Sequence, residues 1–211
     1  INANNEMMNR VFEQFDISTL DILKQINSVD KEAIKRITDI VQSLKRFVRL
    51  DETTQQKANI NDELDLTLHL IHHKIKRNFK IIKEYGEIPL VNCYPNMLNQ
   101  VFLNILMNGV HSINNIQDKN PSYQGKLKLK TFIDDEFLNI EILDNGEGIQ
   151  EKNKEKIFQA GFTTKKKGQG TGLGLAICKK IIEKHNGKIN FESNIDNEDF
   201  RTKFTIQIPL S

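Results

Sequence analysis

Two asparagines four residues apart, Asn104 and Asn108, are the first residues here whose type and spacing ask for a chemical explanation. Asn96 to Ile116 has the periodicity of one long helix, and Gln100, Asn104, Asn108 and His111 fall on a single narrow arc of it. Leu98, Phe102, Ile105, Leu106, Ile113 and Ile116 fall on the opposite arc, so the apolar side is expected to meet a sheet while the amides look away. Asparagine competes for backbone hydrogen bonds inside a helix. An ordinary solvated face would carry Lys and Glu, and this arc has neither. A carboxamide oxygen is a hard ligand that suits Mg²⁺, whose remaining positions go to water and phosphate oxygens.

Two glycine-rich stretches extend that chemistry. In Asp144-Asn145-Gly146-Glu147-Gly148-Ile149, strand parity puts Asp144 on the same face as Leu138, Ile140 and Ile142. A carboxylate continuing a buried row needs hydrogen-bond partners, and a purine amino group with an ordered water is a fitting one. Gly146 and Gly148 permit close backbone approach. Taken alone, Asp-Asn-Gly reads equally as a turn. Further on, Gly168-Gln169-Gly170-Thr171-Gly172-Leu173-Gly174-Leu175 runs into a helix, so exposed N–H groups and a helix start form a polyphosphate cradle. It lacks the Gly-Lys-Ser/Thr of a P-loop, and no strand leads directly into it as in a dinucleotide fingerprint. Phe158, Phe162, Thr163, Thr164 and Lys165-Lys166-Lys167 precede it with the composition of a lid over phosphates, spanning about residues 159 to 169.

The elements that must position these groups divide the chain in two. Residues 1 to about 57 lack Gly, Pro and Cys and read as helical throughout. Ile34, Ile37, Val41, Leu44 and Val48 alternate in steps of three and four, an a/d seam, and Ser28-Val29-Asp30 breaks the stretch into an αα-hairpin. So small a hairpin buries little by itself, which points to a bundle completed by a second chain. From Asn59 the pattern is mixed. A helix is expected through Leu64, Leu68, Ile71 and Ile75, and a strand over Phe79 to Tyr85. Half-buried antiparallel strands are expected at Lys126–Lys130 and Leu138–Ile142. A helix from Leu173 to His185 stops at Asn186-Gly187, and strands follow at Ile189–Ser193 and Phe204–Ile208. The fold class is α+β: a helical hairpin over 1–58, then a two-layer sandwich over 59–211 with helices on one face of a mostly antiparallel sheet.

Composition narrows the function classes. With 30 basic and 28 acidic residues the net charge is +2, which excludes a general polyanion or nucleic-acid surface. The 2 cysteines, Cys93 and Cys178, exclude a disulfide framework and point to a reducing, cytoplasmic setting. Ile88 to Gln117 has no charged side chain, but Pro95 and seven asparagines exclude a membrane span, so no membrane contact is expected. The chain opens on Ile1 in a polar stretch without an apolar leader core, as a fragment of a longer protein would.

The order of the asparagine helix, Asp-x-Gly-x-Gly, a Phe-containing lid and Gly-x-Gly-x-Gly resembles the catalytic and ATP-binding domain of bacterial sensor histidine kinases. Gln100 to Ile113 looks like their N box, Asp144 to Ile149 their G1 box, Phe158 to Phe162 their F box and Gly170 to Leu175 their G2 box. The resemblance covers about Asn59 to Ser211, and the hairpin is similar to the family's dimerisation and phosphotransfer region. Gly161-Phe162-Thr163-Thr164-Lys165 is similar to the nitrogen-regulatory type. The resemblance implies a Bergerat-type ATP-binding fold with Gln100, Asn104 and Asn108 at catalytic positions and Asn108 on Mg²⁺. It implies Asp144 on the adenine amino group, with Gly146, Gly148 and Ile149 shaping that pocket. His111 and Ser112 would line the site, and Phe162, Thr163, Thr164 and Lys165 would close on it. Gly170, Thr171, Gly172, Leu173, Gly174 and Leu175 would wrap the triphosphate. The implied cofactors are ATP and Mg²⁺, and the implied partners a second copy through the hairpin and a response regulator receiver domain.

Some positions depart from the family pattern. His111 stands where Lys is usual and would be largely neutral at pH 7. Ser112 replaces an aromatic that lies over adenine, and Gly109 replaces Ala at a helix-interior cost of about 1 kcal/mol. Gln100 stands where related ATPases carry a Glu base, and an amide cannot accept that proton. No histidine precedes His69, so the phosphoacceptor is expected upstream of Ile1. The alternative function is a degenerate kinase acting as a nucleotide-binding scaffold.

Overall fold

Alternation of apolar and polar residues over Gly125–Asp134 and Phe137–Asp144 gives two strands that can bury only one face. The computed structural model describes residues 54–75, 78–165, 170–197 and 199–210. Within them the order is β1 (Gln56–Ala58), α1 (Ile60–Ile71), β2 (Phe79–Tyr85), β3 (Val91–Cys93), α2 (Pro95–Lys119), β4 (Gly125–Asp134) and β5 (Phe137–Asp144). Then come α3 (Gly174–Lys184), β6 (Lys188–Asn197) and β7 (Phe200–Pro209), with short 3₁₀ turns at His72–Lys74 and Glu151–Lys156. Five strands form one sheet in the order β2-β4-β5-β7-β6. The β2–β4 pair is parallel, and the pairs β4–β5, β5–β7 and β6–β7 are antiparallel. The α+β sandwich expected from the sequence is therefore the fold.

Leu127 and Leu129 of β4, Leu138, Ile140 and Ile142 of β5, and Phe204, Ile206 and Ile208 of β7 form the inner face. The long helix α2 lies on them through Leu98, Phe102, Ile105, Leu106 and Ile113, all buried. Each fully buried aliphatic side chain contributes roughly 1.5–3 kcal/mol, and truncating Phe102 to Ala would cost roughly 3–5 kcal/mol. Pro95 sits in the first turn of α2, where a missing N–H costs nothing. The helix α1 is capped by Asn59, whose side chain accepts from the Asn61 N–H at 2.9 Å. The polar face of β4 carries Lys126, Lys128 and Lys130, half-buried on the side away from the apolar row.

Three differences from the sequence reading have local causes. Residues 56–58 form β1, antiparallel to β3, although the helical reading ran through about residue 57. Ile75 lies beyond α1, because the helix gives way to the 3₁₀ turn and an extended backbone at that residue. Strands β4 to β7 extend past their expected ends, since hairpin pairing continues to Asp134↔Phe137 and Asn197↔Phe200. Apart from 54–58, the hairpin expected over 1–58, with its seam from Ile34 to Val48, lies outside the described residues.

Candidate functional site

Strand β5 ends by delivering a carboxylate into the core. Asp144 is buried, with its Oδ1 accepting from the Gly146 N–H at 2.9 Å. Thr202, opposite it on β7, donates a second hydrogen bond. Burial pushes the Asp144 carboxyl up to about 6, and the Gly146 and Thr202 bonds only partly oppose that. The other wall is α2, where Gly109 faces it so closely that a Cβ would lie 3.2 Å from Asp144 Cβ and 3.1 Å from Leu127. The following turn is pinned on both sides. Asn145 accepts from the Lys126 N–H at 2.7 Å and donates to the Gln124 carbonyl at 2.9 Å. Ser112 Oγ accepts from the Glu147 N–H at 2.7 Å, and a Cβ at Gly146 would overlap that hydroxyl. Gly148 has φ +76°, and the Ile149 N–H donates to Ser193 Oγ at 2.6 Å.

The second half of the site lies earlier on the same helix. Asn104 donates from Nδ2 to the Gly174 carbonyl at 3.2 Å and to Cys178 Sγ at 3.7 Å, both on α3. Its amide hydrogens are therefore spent on α3, which leaves the carbonyl oxygen as its remaining polar atom. One turn on, Asn108 Oδ1 accepts from Lys165 Nζ at 3.1 Å. Burial lowers the Lys165 pKa. His111 is lowered too, by burial and by the Lys165 charge, against the pull of Glu147 and Asp118. Gly172, at φ +68°, passes so close to Gly161 that a Cβ would lie 2.6 Å from its carbonyl oxygen, and the Gly161 N–H donates to the Gly172 carbonyl at 3.0 Å. That bond ties the Phe162 segment to the glycine loop. Among the described residues no side chain caps the start of α3, which follows that loop directly.

Asn104, Asn108, Gly109 and Ser112 thus reach two chemically different groups from one helix, the outermost pair, Asn104 and Ser112, about 12 Å apart along its axis. Asp144, Gly146, Gly148, Ile149 and Ser112 gather at one end; Asn104, Asn108, Lys165, Gly170, Gly172 and Gly174 gather at the other. Gln100 and His111 are half-buried on the same strip of α2, Phe162 packs against the core, and Thr163 and Thr164 are exposed. Thr171, Leu173 and Leu175 are half-buried, and Thr171 Oγ1 accepts from the Leu173 N–H at 3.4 Å. Residues 166–169, part of the expected lid, lie outside the described residues. Thr202 and Cys178 were missed by sequence reasoning. Thr202 had a signal, as the polar member of the alternating row Phe200, Phe204, Ile206, Ile208. Cys178 had none, because its role depends on α3 meeting α2. Among the described residues no group of three or more His, Cys, Asp or Glu could cage a metal. The donor set instead suits a hard cation held by one amide oxygen and completed by phosphates, and Asn108 Oδ1 already accepts from a cation.

A two-layer sandwich with a buried acid and a glycine cradle brought to one face of a long helix is a nucleotide-binding domain of the Bergerat type. Residues 93–211 match the family of histidine kinase-, DNA gyrase B-, and HSP90-like ATPases, and the chain belongs to it, with the ATP binding that membership implies. It is 33% identical over 193 residues to the signal transduction histidine-protein kinase AtoS of Escherichia coli (strain K12), covering 90% of this chain and 28% of that one. The nucleotide-free catalytic domain of histidine kinase ThkA is 31% identical with a TM-score of 0.62, covering 74% of this chain and 96% of that one. ThkA in complex with response regulator protein TrrA is 26% identical with a TM-score of 0.67, covering 98% of this chain and 56% of that one. Within the ATPase family this is therefore a catalytic domain of the sensor histidine kinase kind. The chain spans 28% to 36% of the lengths of AtoS and comparable curated relatives. Among the described residues no helix is long and apolar enough to cross a membrane.

Proposed function

We propose that the chain binds Mg–ATP along α2 and transfers the γ-phosphoryl group to a histidine nitrogen, as the catalytic core of a cytoplasmic sensor kinase that supplies a response regulator. The observation that carries this reading is the pairing, on one helix, of a base end at Asp144 with a polyphosphate end at Asn108 and Gly170–Gly174. Asp144 accepts from the adenine amino group, with Thr202 beside it for a bridging water, and Gly146, Gly148 and Ile149 shape the purine pocket. Asn108 holds Mg²⁺, which would supply charge neutralisation at the phosphate oxygens. Asn104 presents its carbonyl oxygen at the same end, and the glycine loop with the start of α3 wraps the triphosphate. Transfer breaks the bond between the γ-phosphorus and the β,γ-bridging oxygen and forms a P–N bond, so these residues act by positioning and charge balance. Gln100 offers no base for water, which keeps hydrolysis slow.

The acceptor must place a ring nitrogen in line with the γ-phosphorus, at about 3–3.5 Å, with an acid beside it to orient the other ring proton. None of His69, His72, His73, His111 or His185 is followed by Asp or Glu. Incubation with radiolabelled Mg-ATP should therefore leave this chain unlabelled, while a longer chain carrying a His-acid pair before Ile1 takes up acid-labile, alkali-stable label. Stoichiometric label on this chain would force one of its own histidines into the acceptor role. The seam from Ile34 to Val48 supports a homodimer, which sedimentation should detect and Val41→Glu with Leu44→Glu should dissociate. A monomeric parent chain would contradict that assignment.

A further inference from the structure

We propose that Lys165 is a built-in cation for the phosphate end, standing in for Mg²⁺ on Asn108 so that ADP binds with or without the metal. The inference rests on the nucleotide-site reading above and deepens it. Lys165 Nζ donates to Asn108 Oδ1 at 3.1 Å, the same oxygen that the hard cation would take. The reach is held by its surroundings. The Lys165 N–H donates to Thr163 Oγ1 at 3.2 Å, and the side-chain stem crosses Gly170, where a Cβ would lie 3.1 Å from Lys165 Cδ. Any residue but glycine at 170 would press on that stem.

The charge itself argues for an anion nearby. Lys165 is half-buried, and its partner on Asn108 is a neutral amide oxygen rather than a carboxylate. A partly desolvated ammonium that meets no carboxylate among the described residues is unfavourable, and a diphosphate at the adjoining glycine loop would neutralise it. Two cations cannot share one amide oxygen at this distance without strong repulsion. With Mg²⁺ on Asn108, the ammonium is released and its contribution to nucleotide affinity falls. Lys165 and Mg²⁺ are therefore alternatives at one position. A lysine that merely touches phosphate, or one that only supports the loop, would contribute equally in both conditions.

The test is ADP titration of the full 211-residue chain by calorimetry, in Mg²⁺ and in EDTA, for the parent, Lys165→Met and Lys165→Arg. The parent should bind ADP in both conditions. Lys165→Met should lose about tenfold in EDTA but less than about threefold in Mg²⁺, and Lys165→Arg should restore most of the EDTA binding. Equal losses in the two conditions, or a parent that binds ADP only with Mg²⁺, would overturn the proposal while leaving the nucleotide site intact. A parent that fails to bind ADP even with Mg²⁺ would overturn the site reading itself.

Discussion

The two ends of the site are built on different principles. At the Asp144 end the polar groups are bound by the protein's own sheet and helix: Gly146 and Thr202 on the carboxylate, Asn145 between Lys126 and Gln124, Ser112 on Glu147. At the Asn108 end α2 meets α3 through Asn104 and a loop through Lys165, and the second of these contacts sets a cation on a neutral amide. The proposed base pocket is thus organised by burial, which holds a carboxylate where its charge is unfavourable. The proposed phosphate end is organised by half-exposed groups that a ligand's negative charge would compensate. A purine edge is neutral and flat, so a preset pocket suits it. A polyphosphate carries its charge with it, and can complete a site that is electrostatically unbalanced without it.

The strongest way to break this comparison is to remove the buried charge. Burial raises the Asp144 carboxyl from 3.8 to about 6. A value raised on folding contributes stability that is present in full below the unfolded value and lost as pH rises through the folded one. Near pH 8 the ionised Asp144 therefore weakens the folded state. Asp144→Asn, keeping an acceptor for Gly146, should gain on the order of 3 kcal/mol there, with the gain fading as pH falls from about 6 toward 3.8. Thermal melts across that range check it, and a variant that melts lower near pH 8 would mean the carboxylate is not strained by burial.

At the other end, Gly172→Ala puts a methyl on a residue at φ +68° and against the Gly161 carbonyl. ADP affinity should fall about thirtyfold, roughly 2 kcal/mol, with little change in melting temperature if the loop alone is affected. Calorimetry and melting on one sample separate those effects.

A smaller effect concerns how α2 and α3 are joined. His185 Nε2 accepts from the Tyr94 N–H at 3.1 Å, and its Nδ1 lies 2.7 Å from the Ile181 carbonyl, so the neutral ring bridges the start of one helix to the end of the other. Burial lowers its pKa, the Ile181 carbonyl opposes that, and Lys184 adds to it. A base lowered on folding contributes stability that is present above the unfolded value, near 6.5, and lost as pH falls. His185→Leu should cost about 1–2 kcal/mol at pH 8 and progressively less toward pH 5, the reverse of the trend at Asp144. The smallest change is Ser112→Ala, which removes the acceptor of Glu147 N–H. It should cost about 1 kcal/mol or less, and a larger loss would show that this turn carries more of the base pocket than its exposure indicates.

Much of this was legible in the sequence because it is periodic or local. The strand Phe79–Tyr85 ends at Gly86, α2 buries the apolar arc that spacing assigned to it except Ile116, which is half-buried, and Asn186, at φ +54°, ends α3 beside Gly187. The pairing of β1 with β3 was not legible, since three-residue strands carry no usable period. Nor were the side-chain contacts that give the site its character. Thr202 reaches Asp144 across a strand register 58 positions away in the chain, Cys178 meets Asn104 across two helices, and Lys165 meets Asn108 from a loop. Spacing identifies residues that can share a face; it does not say which donor or acceptor another element brings to them.

Recognition of the base by Asp144 is the step on which the proposed function depends most directly. Calorimetric titration of ADP with Mg²⁺ into the parent chain and Asp144→Asn, at pH 8 where the carboxylate is ionised, tests it. The account predicts a loss of at least about tenfold, roughly 1.4 kcal/mol, in a variant that melts higher than its parent. Equal ADP affinity in the two proteins would contradict it.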